Sequence, residues 1–432
     1  MRNFLFLAVL AGVVPILIAR PYIGVLIWTW LSFMNPHREV YGAAQNWPLN
    51  YWVAILTLAS WLFMRERRTP LHGTTLWVLL AFFGWTCVTT LTALDPTISV
   101  PLWQRTAKSF VLVLIVMALM NSKVRIQAIL WVICISLGYY ALKGAGFTLI
   151  HGGGARIFGP EDSMIADNNA LALALVMTLP LLNYLRSSSS KRIVGLALFV
   201  VLGACAITVL GTYSRGGLVA LIVVAAVVLL RSRARVLVIG TAVALIYLLP
   251  IIVPQQWYAR MSTIGQYSED ASFKGRTEAW RTSFNLAVAR PLVGGGFHSI
   301  ENSSVFARYS GSFVDSPRAA HSIYFEVLGD QGFVGLFLYL MMVLVALRNT
   351  HQAILIAKRR DELLWAADLG RMMQASLVGF LVGGGLLSMA YYDLFLVLVG
   401  LSSNLLMLAR RVEQAHILDD IPQQSGIARV PA

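Results

Sequence analysis

An arginine between two long apolar runs is the first residue of this sequence whose type and position could do chemistry. Arg215 lies in the stretch GTYSRGG, residues 211–217, and neither residues 193–210 nor residues 218–230 carry a charge. A charged side chain at membrane depth is costly and often lines the path of a ligand or an ion. Two other readings stay open, because the Arg215 side chain could also reach lipid head groups or pair with an acidic residue of a loop.

A second group of basic residues lies in the long polar segment that precedes His321. Between residues 254 and 320 the chain has seven basic and five acidic residues. The guanidinium group stays charged and makes paired hydrogen bonds to phosphate oxygens, so this segment is a candidate site for a phosphorylated ligand. The simpler alternative is a solvated surface, because long loops cross a membrane largely irrespective of their charge.

His321 begins the stretch HSIYFEVLGDQGFVGLFLYL, which leads from this polar segment into an apolar one. An imidazole with the ordinary pKa of about 6.5 suits a general base that deprotonates a hydroxyl group. A histidine that only makes hydrogen bonds at the membrane boundary is the alternative. The other histidines have no partner at the spacing of metal ligands, so no metal site is predicted.

Membrane helices must position these residues. The chain of 432 residues is 58% hydrophobic and 12% charged, and its mean hydropathy is +0.71. Uncharged runs of roughly 15 to 20 residues match the hydrocarbon core of a bilayer, which predicts an all-α polytopic membrane protein. The apolar segments cover residues 3–19, 22–34, 51–64, 74–93, 107–120, 126–142, 169–185, 193–210, 217–230, 236–253, 333–347, 374–391 and 394–409.

Basic clusters between these segments predict the topology. Clusters such as Arg65 to Arg68, Arg231 to Arg235 and Lys358 to Arg360 are typical of cytoplasmic loops. They account for much of the formal net charge of +14, so no nucleic-acid partner is predicted. We expect about twelve transmembrane helices with both termini in the cytoplasm, one adjacent pair of apolar segments forming a broken or re-entrant unit.

Four regions follow from this topology. Residues 1–253 form the N-terminal membrane helices, residues 254–332 a large and partly helical outer loop that caps the bundle, and residues 333–410 the C-terminal membrane helices. Residues 411–432 are a polar cytoplasmic tail, expected to be disordered. Within the cap, the stretch GRTEAWRTSFNLAVARPLVGGG predicts one amphipathic helix that ends at Pro291 and the following glycines.

Three elements together resemble the O-antigen ligase and polymerase superfamily of bacterial cell-envelope glycosyltransferases. They are SRGG after a membrane segment, GR followed by W and RPLVGGGF in the outer loop, and HSIYFEVLGDQGFVG. The third element has the ligase pattern of a histidine and a serine, nine residues, a glycine, two residues and a glycine. The stretches SFMNPHREVYG and RIFGPEDSMIADNNALALAL resemble the branch of exosortase-associated O-glycosylation ligases.

The resemblance implies a metal-independent, cofactor-free membrane glycosyltransferase with a GT-C-like fold, whose site faces the periplasm from the bacterial inner membrane. It implies transfer of a glycan from undecaprenyl diphosphate to the sugar of lipid A-core, in lipopolysaccharide assembly. Arg215, Arg276 and His321 match the arginines of the family's SRG and GR elements and the histidine of its HS element. Arg281, Arg318 and Trp280 are added as binding residues for the diphosphate or the glycan because they lie close to these residues in sequence.

Other functions share the same motifs. A polymerase of this superfamily would use two lipid-linked glycans, and an O-glycosylation ligase would transfer the glycan to a protein. A transporter of lipid-linked sugars would also be a polytopic bundle with internal arginines, but transporters usually have repeated halves, and the sequence shows no internal repeat.

Overall fold

The computed structural model describes residues 2–40, 43–63, 71, 73–231, 239–240, 243–244, 247, 254–255, 257–258, 271–311 and 317–420. Within these ranges no strand is formed. Most of the predicted segment 236–253 lies outside the described residues. The α-helices are α1 Arg2–Ala19, α2 Pro21–Met34, α3 Leu49–Phe63, α4 Thr74–Leu91, α5 Pro96–Leu119, α6 Lys123–Ile150, α7 Asn168–Ser188, α8 Arg192–Gly211, α9 Arg215–Arg231, α10 Ala271–Ala289, α11 Ser303–Ser310, α12 Ile323–Ala357, α13 Leu364–Gly384 and α14 Asp393–Asp420.

Seven of the described helices are long and apolar enough to cross a membrane, namely α4 to α8, α12 and α14. The shorter apolar helices are α1, α2, α3 and α9. The prediction of an all-α polytopic membrane protein is therefore confirmed.

The core of the bundle is built around α7 and α12. Helix α7 is buried over most of its length and packs against α6, α8 and α13. Helix α12 packs against α4, α13 and α14, and the cap helix α10 lies against it. Helix α10 ends at Ala289, two residues before Pro291, so the predicted helix and its end are confirmed.

Short polar side chains fix the helix ends that face the candidate site. Asp167 accepts hydrogen bonds from the backbone N–H groups of Asn169 and Ala170 and thereby caps α7. Asp95 caps α5, and its second carboxylate oxygen accepts a hydrogen bond of 2.7 Å from the Asn302 amide in the cap. Because capping oxygens satisfy N–H groups that have no partner within the helix, these residues hold the ends of the helices in defined positions.

Helix α12 is broken at Gly332, where φ is 69° and ψ is −171°. The break lies at the predicted boundary between the outer loop and the C-terminal membrane helices. A Cβ atom at this position would lie 2.4 Å from the carbonyl oxygen of Leu292, and the next residue, Phe333, donates its N–H to the Pro291 carbonyl over 2.9 Å. Only glycine therefore fits here, because both the dihedral angles and the close approach of another backbone exclude a side chain.

We expect Gly332→Ala to lower the free energy of unfolding by about 1–3 kcal/mol from backbone strain alone, with a further cost from the clash with Leu292. The measurement is the midpoint of thermal unfolding in detergent. Gly203→Ala in α8 is the control, because a Cβ atom there meets nothing within 4 Å and alanine favours a helix. Equal midpoints for the two variants would contradict the requirement for glycine at the break.

The two C-terminal helices have different boundaries from the predicted segments 374–391 and 394–409. Helix α13 begins at Leu364, and residues 385–392 form a turn instead of continuing the helix. The charges of Asp368 and Arg371, which pair with each other, interrupt the apolar run and hide the start of α13 in the sequence.

Helix α14 continues to Asp420, so residues 411–420, predicted as disordered tail, are helical. Val412 packs on the core, Glu413 lies 3.8 Å from Arg359, and His416 lies 2.6 Å from Glu362. These contacts stabilise a polar extension that the apolar pattern does not reveal.

Candidate active site

His321 is held between the cap and the membrane helices in a constrained backbone conformation. Its φ is 45°, which is uncommon for a residue with a side chain. The backbone N–H of His321 donates to the Ser388 hydroxyl over 2.7 Å, and the preceding carbonyl, of Ala320, accepts from the Trp280 indole N–H over 2.7 Å. The 385–392 turn and α10 therefore fix the histidine from two sides.

Trp280 lies at the centre of this arrangement. Its ring stacks on Phe325 with centroids 5.2 Å apart and planes 8° from parallel. One face of the indole is therefore covered and its N–H is bonded to Ala320. This geometry favours a positioning role for Trp280 over the predicted contact with substrate, which stays a prediction.

The electrostatic surroundings of His321 favour the neutral imidazole. Burial lowers the pKa of His321 below its ordinary value of 6.5, and the cation of Arg276 lowers it further. The carboxylates of Asp167, Glu301 and Glu326 oppose this shift without reversing it. A neutral imidazole at neutral pH is the form that can accept a proton.

Arg215 is the first residue of α9 and follows the buried Ser214. The next residue, Gly216, packs against Leu386. A Cβ atom added to this glycine would lie 3.3 Å from the Leu386 Cβ atom. Leu386 belongs to the same turn as Ser388, which accepts the His321 N–H. The structure thus brings the SRGG element to the turn that holds His321.

The two other predicted arginines occupy different places. The Arg318 guanidinium lies against the backbone of Gly275, so closely that a Cβ atom on this glycine would clash with Arg318 Nη1. The Arg318 side chain therefore lies beside the residue that precedes Arg276. Arg281 is exposed on α10 and lies about 140° round the helix from Arg276. The structure therefore groups Arg318, but not Arg281, with Arg276.

The glycines of RPLVGGGF form backbone hydrogen bonds with the residues of α12 that precede its break. Gly294 and Gly296 have φ of 62° and 86°, which gives the sharp turn expected after α10. The N–H groups of Gly295 and Gly296 donate to the carbonyls of Gly329 and Asp330 over 2.8 and 2.9 Å. Carbonyls that precede the break in α12 thereby gain hydrogen-bond partners from the cap.

A polar network that the sequence analysis missed joins the same segments, and its Glu326 and Asp330 side chains are buried. The His298 ring lies between two carboxylates, with Nδ1 3.1 Å from Glu301 and Nε2 3.2 Å from Glu326. The His298 backbone N–H donates to Asp330 over 2.9 Å. The spacing of Glu326 and Asp330, four residues apart at the start of an apolar helix, is the sequence signal that could have identified this network.

The same two carboxylates also bind the 385–392 turn. Glu326 accepts the Ala390 N–H over 3.0 Å, and Asp330 accepts the Tyr391 hydroxyl over 3.1 Å. One network therefore connects the cap, the first part of α12 and the turn that holds His321.

The surroundings of His298 favour its protonated form. Burial by itself lowers its pKa, but the hydrogen bonds to Glu301 and Glu326 and the charge of Asp330 outweigh burial and hold the pKa well above 6.5. His298, Glu326 and Asp330 each offer a ligand atom within 4.8 Å of the others, so this cluster could also hold a metal ion. Hydrogen bonds within the protein already engage each of these three side chains.

The fold and the site define a multi-pass membrane protein that groups arginines and a histidine at one end of its helix bundle. Residues 198–340 match the family model described as O-antigen ligase. This match confirms the resemblance given by the motifs, and the matched segment contains all six predicted site residues. The match supports a glycosyltransferase of the ligase or polymerase type. Residues 1–190 match a family of unknown function. No curated protein matches the chain.

Proposed function

We propose that this protein is an O-antigen ligase that transfers a glycan from undecaprenyl diphosphate to a sugar hydroxyl of lipid A-core, at the periplasmic face of the bacterial inner membrane. The main support for this proposal comes from the residues that surround His321. A histidine biased towards its neutral form lies within the electrostatic reach of Arg276, and the turn that holds it abuts the SRGG element.

In this mechanism Arg215 and Arg276 bind the diphosphate of the donor. The acceptor oxygen attacks the anomeric carbon, the bond from that carbon to the diphosphate oxygen breaks, and the electron pair leaves with the diphosphate. Guanidinium groups stabilise the charge that develops on this leaving group. The acceptor hydroxyl gives its proton to the neutral His321 imidazole.

The polar network around His298 would hold the arginines and His321 in fixed relative positions. His298, Glu326 and Asp330 connect the cap, α12 and the 385–392 turn, and the Ser388 hydroxyl of that turn fixes His321. A general base must lie within about 3 Å of the hydroxyl that it deprotonates, so small movements of this turn would lower the rate. We assign these three residues a positioning role.

We further propose that the reaction needs no metal ion, because the arginines would supply the positive charge that other enzymes take from a cation on a diphosphate. Transfer by the purified protein should therefore be equal in EDTA and in excess Mg²⁺. If EDTA abolished transfer and a divalent cation restored it, the metal-free mechanism would be wrong, and the cluster of His298, Glu326 and Asp330 would be the first place to look for the ion.

The test of this function is glycan transfer by the purified protein in detergent, with an undecaprenyl-diphosphate glycan as donor. Three acceptors are supplied separately: lipid A-core, a second lipid-linked glycan and a serine- and threonine-rich protein. Transfer to lipid A-core alone supports the ligase. Transfer only to the glycan or only to the protein would replace this proposal by a polymerase or an O-glycosylation ligase, and failure to bind the donor would contradict all three.

The dependence of transfer on pH tests the role of Arg276. In the wild-type protein transfer should decline only below pH 6.5, because the pKa of His321 is lowered from that value. Arg276→Gln removes a cation that lowers the pKa, so the acidic limb of the profile should move to higher pH. Arg276→Lys keeps the cation and should leave the limb in place, whatever it does to the rate. Identical limbs for the wild type and Arg276→Gln would contradict the assignment.

A further inference from the structure

A cavity of about 460 Å³ lies between α4, α12 and α14, at the end of these helices remote from His321. Three arginines line it, Arg348 from α12 and Arg410 and Arg411 from α14. The start of α4 forms another wall, with Gly73, Thr74 and Thr75. The mechanism proposed above uses none of these residues.

Hydrogen bonds at the two ends of α4 define the position of the cavity. Near its C-terminus, the Trp85 indole N–H donates to the Gln331 carbonyl over 3.0 Å, next to the break in α12. Near its N-terminus, the Thr75 hydroxyl accepts from the Asn349 amide over 2.8 Å, at the edge of the cavity. The stretch of α12 from the break to Arg348 is about 24 Å long at 1.5 Å per residue, close to the thickness of a hydrocarbon core. The cavity therefore lies at the opposite membrane boundary from the candidate active site.

The charge of the cavity is one-sided. Among the residues that the structure describes, no acidic side chain lines it. The three arginines are exposed, and Arg410 donates a hydrogen bond to the Gln352 amide oxygen over 2.9 Å. Because glutamine is uncharged, this hydrogen bond does not neutralise the charge of Arg410. Among the described side chains, none caps the start of α4 at Gly73, and its first N–H groups add partial positive charge on this side. This combination suits the oxygens of a phosphate group.

Apolar side chains continue the cavity wall and indicate the source of the phosphate. Leu71, Met117, Leu406 and Met407 line the cavity together with the arginines. A free phosphate ion would gain nothing from this surface, whereas a phospholipid could place its head group among the arginines and the start of its acyl chains against the apolar residues. Basic pockets between transmembrane helices are a known form of acidic-lipid recognition.

We propose that this cavity binds the head group of an acidic phospholipid, in the membrane leaflet opposite to the one that the candidate active site faces. The phosphate lies between Arg348 and the Arg410–Arg411 pair, and the Thr74 and Thr75 end of α4 supplies hydrogen-bond donors. The proposal does not depend on the reaction catalysed at the other end of the bundle.

Native mass spectrometry of the purified full-length protein in detergent tests the proposal. The probes are phosphatidylglycerol and phosphatidylcholine with identical acyl chains, so only the head group differs, and inorganic phosphate is a third probe. Arg410→Gln with Arg411→Gln is compared with Lys191→Gln with Arg192→Gln, which removes the same charge from another basic cluster. Arg348→Gln is tested alone, since one exposed side chain can be changed with little risk to folding.

We expect the wild-type protein to prefer phosphatidylglycerol, and the Arg410 and Arg411 double variant to bind it about 30-fold more weakly, at roughly five-fold for each arginine. Arg348→Gln should weaken binding about five-fold on the same basis, and the Lys191 and Arg192 double variant should bind like the wild type. Equal binding of both lipids, or equal losses in both double variants, would overturn the proposal. Inorganic phosphate that displaces phosphatidylglycerol at equal concentration would overturn the assignment to a lipid.

Discussion

Replacing His321 with glutamine is expected to lower the rate of glycan transfer by about 10²- to 10⁴-fold, the usual contribution of a general base. Glutamine retains a polar side chain of similar length but cannot accept a proton at neutral pH. The backbone N–H that donates to Ser388 is unchanged by this substitution, so the turn should stay in place. The donor should still bind, because the arginines that hold its diphosphate are intact.

Two measurements on the same preparation separate catalysis from folding. Transfer is followed in a single turnover with saturating donor, and donor affinity is measured without acceptor. His151→Gln is the matched control, because His151 is exposed at the end of α6 and its ring bonds to the Phe147 carbonyl of its own helix. A His321→Gln variant that transfers as fast as the control would remove the histidine from the mechanism.

Arg215→Lys and Arg276→Lys are each expected to weaken donor binding about 10- to 100-fold, the loss for a strong charge-assisted hydrogen bond. Lysine keeps the charge but cannot make two parallel hydrogen bonds to one phosphate group. Because the leaving group has the same diphosphate, the rate at saturating donor should also fall. Replacement of arginine by lysine is usually considered conservative, but at a site that binds diphosphate by paired hydrogen bonds we expect it to impair both binding and transfer.

The control for these variants is Arg308→Lys, which changes an exposed arginine on α11 that lies over the Tyr309 ring. Its donor affinity and rate should match those of the wild type. If Arg215→Lys kept full affinity, the diphosphate would have to be bound elsewhere, and Arg318, beside Gly275, would be the next candidate.

Much of the fold could be predicted from the sequence because hydrophobic length is a direct physical signal. Uncharged runs long enough for a bilayer identified the membrane segments, and Pro291 with the following glycines identified the end of α10. The start of α13 and the end of α14 were missed for one reason. In both places charged side chains pair with one another, at Asp368 with Arg371 and at Glu362 with His416, and pairing is invisible to a pattern of single residues.

For the candidate site, the sequence identified residue types more readily than their arrangement. The motifs named Arg215, Arg276 and His321, and the structure places the elements that carry them at one end of the bundle. The network of His298 with Glu326 and Asp330 depends on contacts between residues about thirty positions apart, together with the break at Gly332. No local pattern reports such contacts, so this part of the site required the structure.

A cryo-EM structure of His321→Gln with an undecaprenyl-diphosphate glycan bound would test the proposed site most directly. We predict that diphosphate oxygens lie within hydrogen-bond distance of both the Arg215 and the Arg276 guanidinium groups, and that the anomeric carbon faces residue 321. A diphosphate bound away from both arginines, or an anomeric carbon remote from residue 321, would show that these three residues do not form one site for transfer.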